Sequence, residues 1–226
     1  MGAIMEAIFC ICYLVCVCAM GVLMLSQSRG NSQRHLFGVL TLVLVGGDAF
    51  HLVPRIYGLL ANKIDEIPAA LGFGTLVTSI TMTVFYVMMY HFWRQRNKSG
   101  KNTAMTMTLY ALAAVRVFAC IHPANNWLSA DPSLTWGIIR NIPFVLIGAL
   151  IIWLFAQTAK SDKAFRFAWL AVLLSFLFYI PVVLFAGAAP IVGMLMLPKT
   201  LCYVWLIAMG YYGIEKAANN TGFIWG

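Results

Sequence analysis

From Leu36 to Leu60 the chain reads LFGVLTLVLVGGDAFHLVPRIYGLL. A helix needs about 20 mostly apolar residues to cross the hydrocarbon core of a bilayer, and this stretch supplies them. Its three interior polar groups, Asp48, His51 and Arg55, are spaced by three and then four residues, so one helical face carries all of them. Lipid tolerates such groups only where they face protein or an interface. The stretch therefore predicts a membrane-spanning helix whose polar face is covered by other helices.

Further apolar stretches of similar length lie at 3–25, 69–93, 103–122, 136–157, 165–187 and 190–214, which makes seven. The segments between them are short and rich in breakers, as in Ser-Arg-Gly-Asn-Ser at 28–32 and Asn-Lys-Ser-Gly at 97–100. Composition agrees: 62% of the 226 residues are hydrophobic and 10% charged, against roughly 25% charged in soluble domains. Mean hydropathy is +0.86. The expectation is an all-α, seven-transmembrane helix bundle, forming a single domain over 1–226.

Basic residues orient it. Arg29 and Arg34 fall in the first connection, Arg94, Arg96, Lys98 and Lys101 in the third, Lys160, Lys163 and Arg166 in the fifth, and Lys216 in the tail. The opposite loops hold Lys63 with Asp65, Glu66 and Asp131. The positive-inside rule then places the N-terminus outside and the C-terminus in the cytoplasm, in a multi-pass protein of the cell membrane. A basic face against anionic lipid headgroups also accounts for the net charge of +8, so the charge does not argue for nucleic acid. Membrane lipids are the expected partners, with the third loop a contact for a cytoplasmic signalling protein.

The first stretch lacks a basic leader and contains Glu6, so it reads as a retained helix rather than a signal peptide. Its cysteines, Cys10, Cys12, Cys16 and Cys18, are not expected to form a metal site. At about 100° per residue, Cys10 and Cys12 point to opposite sides of the helix.

Four cations remain inside the spans: Arg55, Arg116, Arg140 and Lys199. They meet only Asp48 and Glu6 as opposing charge. With the helices oriented as above, Glu6, Arg55, Arg116, Arg140 and Asn141 gather toward the outside, with Asp48, His51 and Lys199 nearer the middle. Tyr203 follows Lys199 by one turn and shares its face. Thr75, Thr78 and Ser79 of the third helix lie at similar depth. An outward-opening pocket with surplus positive charge suits a carboxylate, a phosphate or an anionic lipid headgroup. Pro54, Pro143, Pro181 and Pro198 are expected to interrupt helices 2, 5, 6 and 7 and to free backbone carbonyls beside this layer. Trp93, Trp127 and Trp136 read as interfacial anchors.

Two resemblances bear on this. Tyr179-Ile180-Pro181-Val182-Val183, with Pro198-Lys199-Thr200 midway along the seventh stretch, resembles the microbial rhodopsins. That likeness implies a retinal Schiff base on Lys199. The third helix, however, carries no aspartate or glutamate as counter-ion, and Asp48 would have to substitute. The string GDAFHLVPR at 47–55 is similar to a signature of uncharacterised bacterial seven-helix membrane proteins, and implies no activity.

Two further chemistries compete with ligand binding. Seven-helix lipid hydrolases of the alkaline-ceramidase and haemolysin-III type hold zinc with several histidines, whereas only His51 lies well inside a span here. A metal-free variant would use Asp48 and His51 with Ser79 as catalytic residues. Haem would need the histidines in layers, with His35 and His91 toward one face and His51 and His122 toward the other. The reading leans away from an enzyme. It expects no metal and no resident cofactor, with retinal and haem as the alternatives.

Overall fold

The computed structural model describes residues 2–100, 102–187 and 189–220, without side-chain detail at 190 and 215–220. Lys101 and the Lys216 side chain, both used above for orientation, lie outside the described residues. The chain is all-helical: α1 Gly2–Ser26, α2 Ser32–Ala61, α3 Pro68–Arg96, α4 Thr103–Ile121, α5 Leu134–Thr158, α6 Ala168–Phe185 and α7 Met196–Asn220. Each of the seven is long and apolar enough to cross a membrane, which makes this a multi-pass membrane protein by length and composition.

Several boundaries differ from the hydropathy limits. α2 and α3 extend past their apolar stretches, so Arg34, Arg94 and Arg96 sit in helical turns rather than loops. Hydropathy marks where lipid begins, whereas helical hydrogen bonding continues until a breaker arrives. The seventh stretch differs more. Pro190–Leu195 is a 3-10 segment and α7 begins at Met196. Pro198 therefore lies in the first turn, where no intrahelical acceptor awaits its absent N–H, and interrupts nothing. Lys199 is likewise a first-turn residue rather than a mid-helix one. Pro54, Pro143 and Pro181 do lie inside their helices.

The fold divides into two compact units. One comprises Met1–Cys18, Leu42–Val87 and Lys101–Ile147; the other Ala19–Thr41, Met88–Gly100 and Gly148–Gly226. α1, α2, α3 and α5 contribute a segment to each.

In the first unit, small residues bring α2 and α3 together. A Cβ on Gly47 would strike the Thr81 side chain, and one on Gly74 would land on the backbone of Phe50 and His51. Pro54 supplies the reason at the second point. Lacking an N–H, it leaves the Phe50 carbonyl without its i+4 donor, and that oxygen is directed at the bare Cα of Gly74. Thr78 Oγ1 donates to the Gly47 carbonyl at 2.9 Å, tying the same two helices one turn further along.

The second unit is centred on aromatic rings. Phe37 meets Phe92 at 4.8 Å and Phe165 at 5.6 Å between centroids, and Phe92 meets Phe165 at 5.0 Å. Gly210 of α7 packs on the Phe37 ring. The Arg96 guanidinium lies over Phe165, 4.7 Å from its centroid, and grips both oxygens of Asp162. Trp93 is buried and its indole N–H donates to Thr158 Oγ1 at 3.1 Å, which packs it between α3 and α5.

Candidate functional site

In the first unit α1 and α2 meet through two polar contacts. The Tyr13 hydroxyl donates to Asp48 Oδ2 at 2.5 Å. Arg55 Nε donates to Glu6 Oε1 at 2.5 Å, the pair being 36% and 26% exposed. Glu6 and Tyr13 are two turns apart, as are Asp48 and Arg55, and the pairs run in opposite order along the two helices. That is the register of antiparallel neighbours. Tyr13 lies on the buried stripe of α1 with Ala7, Cys10 and Val17, whereas Cys12, Cys16 and Cys18 are exposed. The cysteines therefore divide between faces, as their spacing requires.

His51, between Asp48 and Arg55 on α2, turns toward α3. Its Nδ1 is 3.1 Å from Thr75 Oγ1 and 3.3 Å from the Leu71 carbonyl. The Thr75 hydroxyl donates to that same carbonyl at 2.8 Å. The Leu71 carbonyl can only accept and the Thr75 hydroxyl is already committed to it, so the pair offers acceptors to a hydrogen on Nδ1. Ser79, the nucleophile of the hydrolase reading, donates its hydroxyl to the Thr75 carbonyl at 2.7 Å. A nucleophilic role would require breaking that bond. Among the described residues, no three His, Cys, Asp or Glu side chains converge where they could share a metal ion.

The other two intramembrane cations of this unit, Arg116 and Arg140, rest on aromatic faces. Arg116, on α4, is 2% exposed and its guanidinium carbon is 3.2 Å from the centroid of Phe144 on α5. Arg140, at the start of α5, lies 4.2 Å over the Trp127 ring and donates from Nη1 to Asn125 Oδ1 at 2.7 Å. Asn125 is fully buried, and its amide donates to the carbonyls of Ala119 and His122 at 2.6 and 2.8 Å, closing the open end of α4. Trp127 fixes its own ring by donating to the Cys120 carbonyl at 2.7 Å. Arg140 is therefore held by the α4–α5 connection, with the Trp127 ring as part of its seat. Asn141, also buried, donates to the Gly137 carbonyl at 2.7 Å.

Lys199 and Tyr203 belong to the second unit. Lys199 Nζ is 4.6 Å from the Tyr179 centroid and 5.7 Å from that of Tyr203, which is 4% exposed. The shared face of Lys199 and Tyr203 is readable from their spacing, and Tyr179 is a further aromatic candidate in the sequence, but its approach to Lys199 from α6 is decided by the tertiary structure. No family model, curated protein or solved structure matches the chain. What the site does must be argued from its own chemistry.

A guanidinium stacked on a ring keeps its charge and directs its N–H groups outward in its own plane, toward acceptors at the ring's edge. Two of the four intramembrane cations, Arg116 and Arg140, are guanidinia held over rings, and the Lys199 ammonium lies near two more. Phe144, Trp127 and Asn125 are the residues that sequence reasoning missed. Phe144 carried no signal beyond its proximity to Arg140, and Asn125 looked like an ordinary loop polar residue. The α1–α2 contact can be tested singly: Tyr13→Phe removes one hydrogen bond to a carboxylate within a span. It should cost about 1–2 kcal/mol, read as a lower unfolding midpoint in detergent with unchanged helical content.

Proposed function

We propose that this chain is a multi-pass protein of the cell membrane, N-terminus outside and C-terminus cytoplasmic. Its first unit binds an anionic ligand, a carboxylate, a phosphate or a lipid headgroup, through Arg116 and Arg140, with Asn141, Asp48, His51, Arg55 and Glu6 in the supporting layer. The observation that carries this reading is a charge imbalance. Within the spans there are four cations and two carboxylates, and the Glu6–Arg55 pair uses one of each. Of the first unit's span charges that leaves Arg116 and Arg140 against Asp48, a surplus of one positive charge there, the remaining cation being Lys199 in the second unit. Burying such charge is costly unless something compensates it. Aromatic faces lower that cost without cancelling the charge, which leaves a bound anion as the natural complement.

Sensing or reception suits these features better than hydrolysis, because the Ser79 hydroxyl that hydrolysis would use is engaged with its own helix. The basic third connection is the surface offered to a cytoplasmic partner.

The test is native mass spectrometry of the protein released from membranes. Wild type should carry anions or anionic lipids in excess over the detergent background. Arg116→Gln and Arg140→Gln, checked for intact helical content, should each weaken retention by roughly ten- to a hundredfold, the worth of a charge-assisted hydrogen bond. Identical anions on wild type and both variants would sink the proposal.

A further inference from the structure

The second unit contains a groove of about 750 Å³ that the reading above does not use. One wall is α7, where Trp205, Ala208, Met209 and Tyr212 follow one another at helical spacing. Trp205 and Tyr212 are 37% and 67% exposed, two turns apart on one face. Ala208 leaves a notch between them. The other wall is the α5–α6 connection, with Ser161, Asp162, Lys163 and Ala164. Its base is set by close packing, since a Cβ on Gly213 would meet Ala164 Cβ at 2.7 Å.

The charges of the groove are arranged unequally. Arg96 and Asp162, each 13% exposed, neutralise each other in a two-point pair and fix the connection in place. Asp162 further stiffens it by accepting from the Ala164 backbone N–H at 3.2 Å. Lys163 is exposed, forms no ion pair with a carboxylate among the described residues, and shares the segment with the exposed Lys160 and Arg166. The groove is thus apolar along a transmembrane helix and basic at the end where that helix meets a charged connection. Tryptophan and tyrosine, apolar bodies with one donor each, stand along the same wall.

From this complementarity we infer that the groove seats one anionic glycerophospholipid. An acyl chain lies along Trp205, Ala208 and Met209, and the phosphate is met by Lys163, with the Tyr212 hydroxyl toward the headgroup. A soluble anion would make no use of the apolar wall, and a zwitterionic lipid would make little use of Lys163. This site shares no residue with the anion layer of the first unit and stands or falls separately from it.

The experiment measures retention of phosphatidylglycerol against phosphatidylcholine of the same acyl chains, by native mass spectrometry of protein taken from nanodiscs containing equal amounts of both. Wild type should retain phosphatidylglycerol preferentially. Lys163→Gln should reduce that preference roughly fivefold, the worth of one basic residue near an anionic surface. Ala208→Phe, which fills the notch without touching a charge, should lower retention of both lipids. Lys98→Gln, in a different connection, should change neither. No headgroup preference in wild type overturns the inference, as does a preference that survives Lys163→Gln in protein of normal helical content.

Discussion

Asp162→Ala is expected to lower stability by about 3–5 kcal/mol, the usual consequence of removing one partner from a buried ion pair. Both side chains of the Arg96–Asp162 pair are 13% exposed, and the contact is made through both carboxylate oxygens. The variant leaves the guanidinium over Phe165, with Gln33 Oε1 at 3.3 Å as its remaining acceptor. Neither replaces a negative charge. Unfolding in a mixed-micelle titration would read the loss. Because water has little access to the pair, added salt should alter the difference only slightly, unlike a surface ion pair. Lys63 and Glu66, at 51% and 66% exposure, provide that comparison: Glu66→Ala should change stability by under about 1 kcal/mol. If Asp162→Ala proves as mild as Glu66→Ala, the pair does not hold the α5–α6 connection.

The second large effect lies at the crossing of α2 and α3. Gly74→Val is expected to cost at least roughly 3 kcal/mol, the upper end of the overpacking range, because the atoms in its way are backbone and cannot rotate aside. The consequence reaches the site. Thr75 follows Gly74 directly and faces His51 Nδ1 at 3.1 Å, so pushing the helices apart removes that contact as well. Gly72 makes a still closer approach to the backbone of Trp127, whose ring carries Arg140. Gly46→Ala is the control, since a Cβ there meets nothing within 4 Å. It should be neutral or slightly stabilising, as alanine favours helix over glycine by about 1 kcal/mol. Equal unfolding midpoints for the Gly74 and Gly46 variants would contradict this packing.

The adjacent glycines of α2 show how far sequence carries. Gly46 and Gly47 are indistinguishable in the string GGDAFHLVPR, yet one faces open space and the other the Thr81 side chain. Hydropathy and helical periodicity are properties of consecutive residues. They determined the seven spans, the shared face of Asp48, His51 and Arg55, the divided cysteines of α1, and the surplus of cations over carboxylates in the apolar stretches. Which partner meets each polar group depends instead on the rotation and depth of a second helix, and those follow from packing summed over the whole interface. Only the tertiary structure could therefore assign Tyr13 to Asp48, Glu6 to Arg55, Phe144 to Arg116 and Trp127 to Arg140. It also placed Lys199 in a first helical turn, because Pro190–Leu195 forms a tighter helix than hydropathy can distinguish. The sequence by itself determined how often this chain can cross a membrane and how much charge it must accommodate there; the aromatic rings that accommodate it were chosen by packing.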